Sequence, residues 1–136
     1  MPSSTLTLSQ PATRSSVLTG RIVTALVVLF MLFDGTIHLL APAPVVGAFA
    51  QLGVPQHLSL GIALIELACT VLYVIPRTST LGALLLTAYL GGATAIQLRA
   101  ETALFPVIFP AIIGVLVWGG LVLRDEGVRA FIFRRA

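Results

Sequence analysis

Asp34 and His38 stand four residues apart inside an apolar run that extends from Phe30 to Leu40. On a helix that spacing puts a carboxylate and an imidazole on one face, one turn apart. A carboxylate so placed orients the ring, and the two together can hold and pass a proton. A second acid, Glu66, lies inside a second apolar run. Two carboxyls in different surroundings are the arrangement used for general acid–base chemistry. The same residues also read as a buried hydrogen-bonded clasp that fixes helix register, and the sequence leaves both readings open. Metal binding is the third option for Asp34, His38 and Glu66. Zinc and iron sites want more imidazole or thiolate than this set offers, and His57 falls at the outer mouth of its helix. No metal is therefore expected.

These groups need elements to hold them, and composition says which kind. Hydrophobic residues make up 57% of the 136 residues and charged ones 10%, with a mean hydropathy of +1.05. A soluble domain is nearer 25% charged, so the chain belongs in a lipid bilayer. A carboxylate near the centre of a spanning helix costs roughly 2.5–3.5 kcal/mol, and such groups normally face a bundle interior or a wet cavity. The fold expected is an all-α, integral membrane, antiparallel four-helix bundle, with helices over about 21–41, 57–75, 80–98 and 104–123. Residues 1–20 read as a flexible cytoplasmic tail, and 125–136 as a basic amphipathic cytoplasmic tail lying on an anionic leaflet. Pro42-Ala43-Pro44 ends the first helix. The apolar connection over 42–56 reads as a short interfacial or re-entrant helix. Ala41-Pro42-Ala43 loosely imitates a cleavage site, but the run before it, at about 20 residues, is too long for a signal core and contains two polar groups. Cleavage is not expected.

On the second helix Ser59, Glu66, Thr70, Tyr73 and Arg77 follow one another at same-face spacings. Gly82, Ala83, Ala88, Gly91, Gly92 and Ala95 make the third helix a close-packing element, with Thr94 and Gln97 towards its far end and Arg99 at the interface. Candidate substrate contacts are thus Thr70, Tyr73, Thr94, Gln97 and Arg99, while Tyr73 and Tyr89 more often serve as belt or packing residues. The fourth helix, from Pro106 and Pro110 to Trp118, has almost no polar side chain and reads as a packing wall. Cys69, the only cysteine, rules out an internal disulfide and suits inert packing.

All eight basic residues are arginines. Arg14, Arg21, Arg77, Arg124, Arg129, Arg134 and Arg135 flank one side of a four-pass arrangement, and Arg99 alone flanks the other. That bias puts both termini in the cytoplasm and Asp34, His38, Glu66, Thr94 and Gln97 at similar depth, outward of the midplane. The basic, aromatic-interleaved patch of a nucleic-acid reader is missing, as are a phosphate loop and a nucleophile beside a base.

Several short stretches in order carry a resemblance: Asp34-Gly35-x-x-His38-Leu39, Leu52-Gly53-Val54-Pro55, Glu66, Tyr73-x-x-Pro76-Arg77-Thr78, and Leu81-Gly82-Ala83-Leu84-Leu85-Leu86-Thr87-x-Tyr89-Leu90-Gly91-Gly92-Ala93. Arg99, Trp118 and Leu123-Arg124-Asp125 complete the set. The chain resembles the DoxX-like family of small four-helix bacterial membrane proteins over about residues 20–130. The resemblance implies an inner-membrane four-helix bundle and, for a few members, association with oxidoreductases or quinone-linked sulfur chemistry. Thiol relay is at odds with the single cysteine. Two functions are consistent with these observations. In the first, Asp34, His38 and Glu66 carry out proton-coupled chemistry on a lipophilic small molecule such as a quinone, terpenoid or polyketide-like intermediate. Isomerisation, epoxide opening or cyclisation, and quinone redox all fit it, and no cofactor is expected other than a quinone. In the second, the chain is a non-catalytic subunit that anchors or assembles an oxidoreductase. A homodimer is a further option, and a proton-linked transporter is disfavoured because four helices show no inverted repeat.

Overall fold

The computed structural model describes residues 12 to 133. It is all-α, with six helices in chain order: α1 (Arg14–Leu40), α2 (Ala43–Leu52), α3 (Ser59–Val74), α4 (Ser79–Arg99), α5 (Leu104–Arg124) and α6 (Glu126–Ile132). A single 3₁₀ turn, Gln56–Leu58, leads into α3. α1, α3, α4 and α5 are each long and apolar enough to cross a bilayer. Their outward residues suit lipid: Leu26, Leu29, Phe33, Leu64, Leu84 and Val115 are all more than half exposed. In water such a surface would aggregate, whereas in a bilayer it is the face that meets the solvent.

α1 begins at Arg14 rather than near residue 21. Thr13 caps it, its side chain accepting the Ser16 N–H at 3.3 Å. The polar residues Ser15, Ser16 and Thr19 hid this start from a hydropathy reading, yet a helix needs only its cap and its backbone bonds. The 27-residue helix is about 40 Å long at 1.5 Å per residue, so it outreaches the hydrocarbon core. The remainder of the expected N-terminal tail, residues 1–11, and Arg134 and Arg135 at the other end lie outside the described residues. Within the C-terminal segment α6 is helical, capped by the Asp125 side chain on the Val128 N–H at 3.0 Å.

The four long helices form a square. α1 packs against α3 and α5, and α4 packs against the same two, so α1 and α4 sit on one diagonal. The chain's two described ends meet at one end of the square, where the Ala12 N–H donates to Glu126 Oε1 at 3.1 Å. From that end to mid-bundle the core is filled by Val27, Met31, Leu86, Val117 and Leu121, each 2% exposed or less. Tyr73 ties it together. Its hydroxyl donates to the Val117 carbonyl at 2.7 Å, and Arg124 donates to the Tyr73 carbonyl at 3.1 Å with its guanidinium 5.1 Å from the ring centre. A bond of this kind between helices replaces the water that lipid cannot supply. At the opposite end the diagonal opens, and α2 crosses the gap.

Candidate functional site

α1 delivers Asp34 and His38 to the open end. The His38 Nδ1 lies 2.9 Å from the Asp34 carbonyl and 3.4 Å from Asp34 Oδ2. A carbonyl can only accept, so Nδ1 carries the hydrogen and Nε2 is left as the basic nitrogen. Ser59, the first residue of α3, donates to the His38 carbonyl at 2.6 Å. It thereby occupies one of the carbonyls that the end of α1 leaves without an intrahelical partner and pins the two helices together next to the imidazole.

α3 brings Glu66 to the same place. Its side chain is fully buried, with Oε2 at 3.7 Å from His38 Nδ1. Gly35 makes the approach feasible: a Cβ there would lie 2.8 Å from Leu67 Cδ2 and 3.6 Å from the Glu66 carboxyl carbon. α4 completes the group with Tyr89, whose hydroxyl donates to Glu66 Oε2 at 2.8 Å. Glu66 Oε1 has no hydrogen-bond partner among the described residues. One ligand atom each from Asp34, His38 and Glu66 lie within 4.8 Å of one another, close enough to hold a divalent cation or to share protons.

Asp34, His38, Tyr89 and Gln97 line a cavity of about 710 Å³ whose other walls are apolar. Phe30 and Met31 from α1, Val45, Ala48, Phe49 and Leu52 from α2, Ile96 from α4, and Phe105, Phe109 and Ile113 from α5 supply them. Pro106 and Pro110 also face this space. Pro110 lies inside α5, and its missing N–H leaves the Pro106 carbonyl without a helical donor. Glu66 stands behind Asp34 and His38 rather than on the wall. The geometry is that of a small-molecule site, concave and mostly apolar with a few convergent polar groups.

The other candidates divide. Gln97 reaches the cavity, its side-chain oxygen accepting from Thr102 at 2.8 Å. Thr70 and Tyr73 share a helix face with Glu66 as their spacing requires, but a face runs the length of a helix. Tyr73 lies seven residues on, about 10 Å deeper at 1.5 Å per residue, in the end lock described above. The Thr70 hydroxyl donates to the Glu66 carbonyl at 2.8 Å within its own helix, and neither residue lines the cavity. Thr94 turns into a different hollow, of about 790 Å³, between α4, α5 and the end of α6. Thr87, Gly91 and Trp118 line that hollow too, and Trp118 Nε1 donates to the Thr87 hydroxyl at 2.9 Å. Three residues separate Thr94 from Gln97, which is 60° of arc, and the α4–α5 contact falls between them. Arg99 donates to the Leu52 carbonyl at 2.8 Å and so closes the C-terminus of α2 instead of facing a ligand.

Two contributions were not read from the sequence. Tyr89 reads in sequence as belt or packing, yet it and Glu66 stand symmetrically about the Arg77–Thr78 turn. In an antiparallel pair that symmetry puts them at one depth, and it was the available signal. The fourth helix reads in sequence as a packing wall, and it supplies two of the cavity's four phenylalanines.

Four apolar spans around a buried acid–imidazole cluster define the class: a small multi-pass helical membrane protein with an internal lipophilic cavity. The chain belongs to the DoxX-like family, whose model matches residues 22–120. No curated protein and no solved structure matches it.

Proposed function

We propose that the protein binds a lipophilic small molecule in the cavity and performs acid–base chemistry on its polar group. The observation that carries this reading is the placing of Asp34, His38, Glu66 and Tyr89 together at one end of an otherwise apolar space. His38 Nε2 serves as the base and the carboxyls hold or return the proton, with Tyr89 positioning Glu66. A quinone head, a terpenoid or a polyketide-like intermediate is of a size and polarity to enter. The test compares lipid extracts of cells producing the wild type or Asp34→Asn at equal levels of folded protein. An enzyme leaves a compound that accumulates with the variant and is consumed with the wild type. Identical extracts would remove the enzymatic reading.

The alternative, a non-catalytic subunit of an oxidoreductase, draws on the hollow between α4 and α5. Its floor of Gly91, Gly114 and Gly119 gives room for a partner's helix, and in that case the buried acids only clasp the bundle.

We place the protein in the bacterial inner membrane with both termini in the cytoplasm. The arginine bias supports this, together with the meeting of the two described ends at one end of the bundle. Alkaline phosphatase fused after residue 136 should be inactive, and the same reporter in the 43–52 segment active. The reverse pattern would invert the topology.

A further inference from the structure

We propose, building on the cavity reading above, that the molecule bound at this site is a lipophilic amine, held as a cation by Asp34 on the wall, with the buried Glu66 carboxyl behind it adding to the negative field. The polar end of the cavity holds too many acceptors for its donors. Asp34 offers two carboxyl oxygens on the wall, and Glu66 offers two more directly behind them. Against them stand the Tyr89 hydroxyl, already given to Glu66 Oε2, and the His38 Nδ1–H, already facing the Asp34 carbonyl. Gln97 has its side-chain oxygen engaged by Thr102, and its two amide N–H groups, though free to donate, start eight residues along α4 from Tyr89, about 12 Å at 1.5 Å per residue. Glu66 Oε1 is left without any partner while its side chain is fully buried.

Elsewhere a surplus of this kind is often answered by arginine, and among the described residues no arginine pairs with Asp34 or Glu66. Lipid offers no hydrogen bonds. The described arginines nearest in the fold are committed elsewhere: Arg99 to the Leu52 carbonyl and Arg124 to the opposite end of the bundle. A guest that carries N–H donors and positive charge supplies what the site lacks, and charged hydrogen bonds outweigh neutral ones. The walls fit the rest of such a molecule. Phe30, Phe49, Phe105 and Phe109 surround the space, and aromatic faces favour a cation as well as apolar carbon. A carboxylate-bearing guest meets like charge at the same spot and is rejected.

Isothermal titration of the purified full chain in lipid nanodiscs, with 4-phenylbutylamine, 4-phenylbutanol and 4-phenylbutyrate as matched probes, tests this. The amine should bind about tenfold more tightly than the alcohol, and the butyrate not at all. Asp34→Asn with Glu66→Gln, at unchanged helix content, should erase the preference for the amine. Equal binding of amine and alcohol, blocked by Phe109→Trp, overturns the charge selection while the cavity reading stands. Failure of all three probes overturns both. A preference for the amine that survives in the double variant reflects partition into the bilayer and overturns the proposal. Displacement of the amine by Mn²⁺ or Zn²⁺ in the wild type but not in the double variant replaces it with a metal site.

Discussion

On the acid–base reading proposed above, Glu66→Gln should keep the bundle intact and remove its chemistry. The amide has the volume of the acid and still offers an oxygen to the Tyr89 hydroxyl, now 2.8 Å from Oε2, so the helix contacts persist. What it cannot do is release and regain a proton, and loss of a general acid or base lowers rates by about 10²–10⁴-fold. Thermal melting by circular dichroism should be nearly unchanged, while consumption of the lipid substrate falls by that factor. Glu66→Leu behaves differently. It leaves the half-buried Tyr89 hydroxyl without its acceptor, at a cost of about 1–3 kcal/mol, so both stability and activity should fall. If Glu66→Gln retains full activity, the carboxyl is a clasp and its proton is not used.

Gly82→Val prevents folding. Gly82 lies where α4 leaves the turn and presses on the backbone of α3. A Cβ there would lie 2.5 Å from the Tyr73 Cα and 2.7 Å from the Leu72 carbonyl carbon, and it would also overlap the Tyr73 nitrogen. These atoms are backbone and cannot swing aside. Tyr73 is in addition held by Val117 and Arg124, so a shift of α3 would pull α5 with it. Overpacking of this kind costs about 3 kcal/mol or more. The variant should give little monodisperse protein on size-exclusion chromatography. Gly61→Ala, at a position with nothing within 4 Å of the added carbon, should match the wild type and serve as the control.

The spans were legible because lipid imposes a simple rule: a helix that crosses must be apolar for its whole length. The convergence of Asp34, His38 and Glu66 was legible for a related reason, since polar groups in lipid must find each other and depth can be counted from the helix ends. Three things were not legible. The start of α1 depends on the Thr13 cap rather than on hydropathy. Same-face spacing gave the direction of Thr70 and Tyr73, but direction is only one coordinate, and depth took them out of the cavity. The cavity itself has no residue that announces it. A void is set by where neighbouring side chains stop, and the phenylalanines and prolines of α5 look the same in sequence whether they fill space or border it.

The hydrogen bond between Trp118 and Thr87 has a spectroscopic consequence. Trp118 is the single tryptophan, and it lines the hollow between α4 and α5 instead of the cavity beside Asp34. Its emission therefore tracks whether those two helices stay seamed. Ultraviolet fluorescence gives an unfolding signal that a guest near the acids leaves almost unchanged. A dye or a second indole placed on the cavity wall would supply a separate optical channel for occupancy, so that folding and loading can be followed in one cuvette.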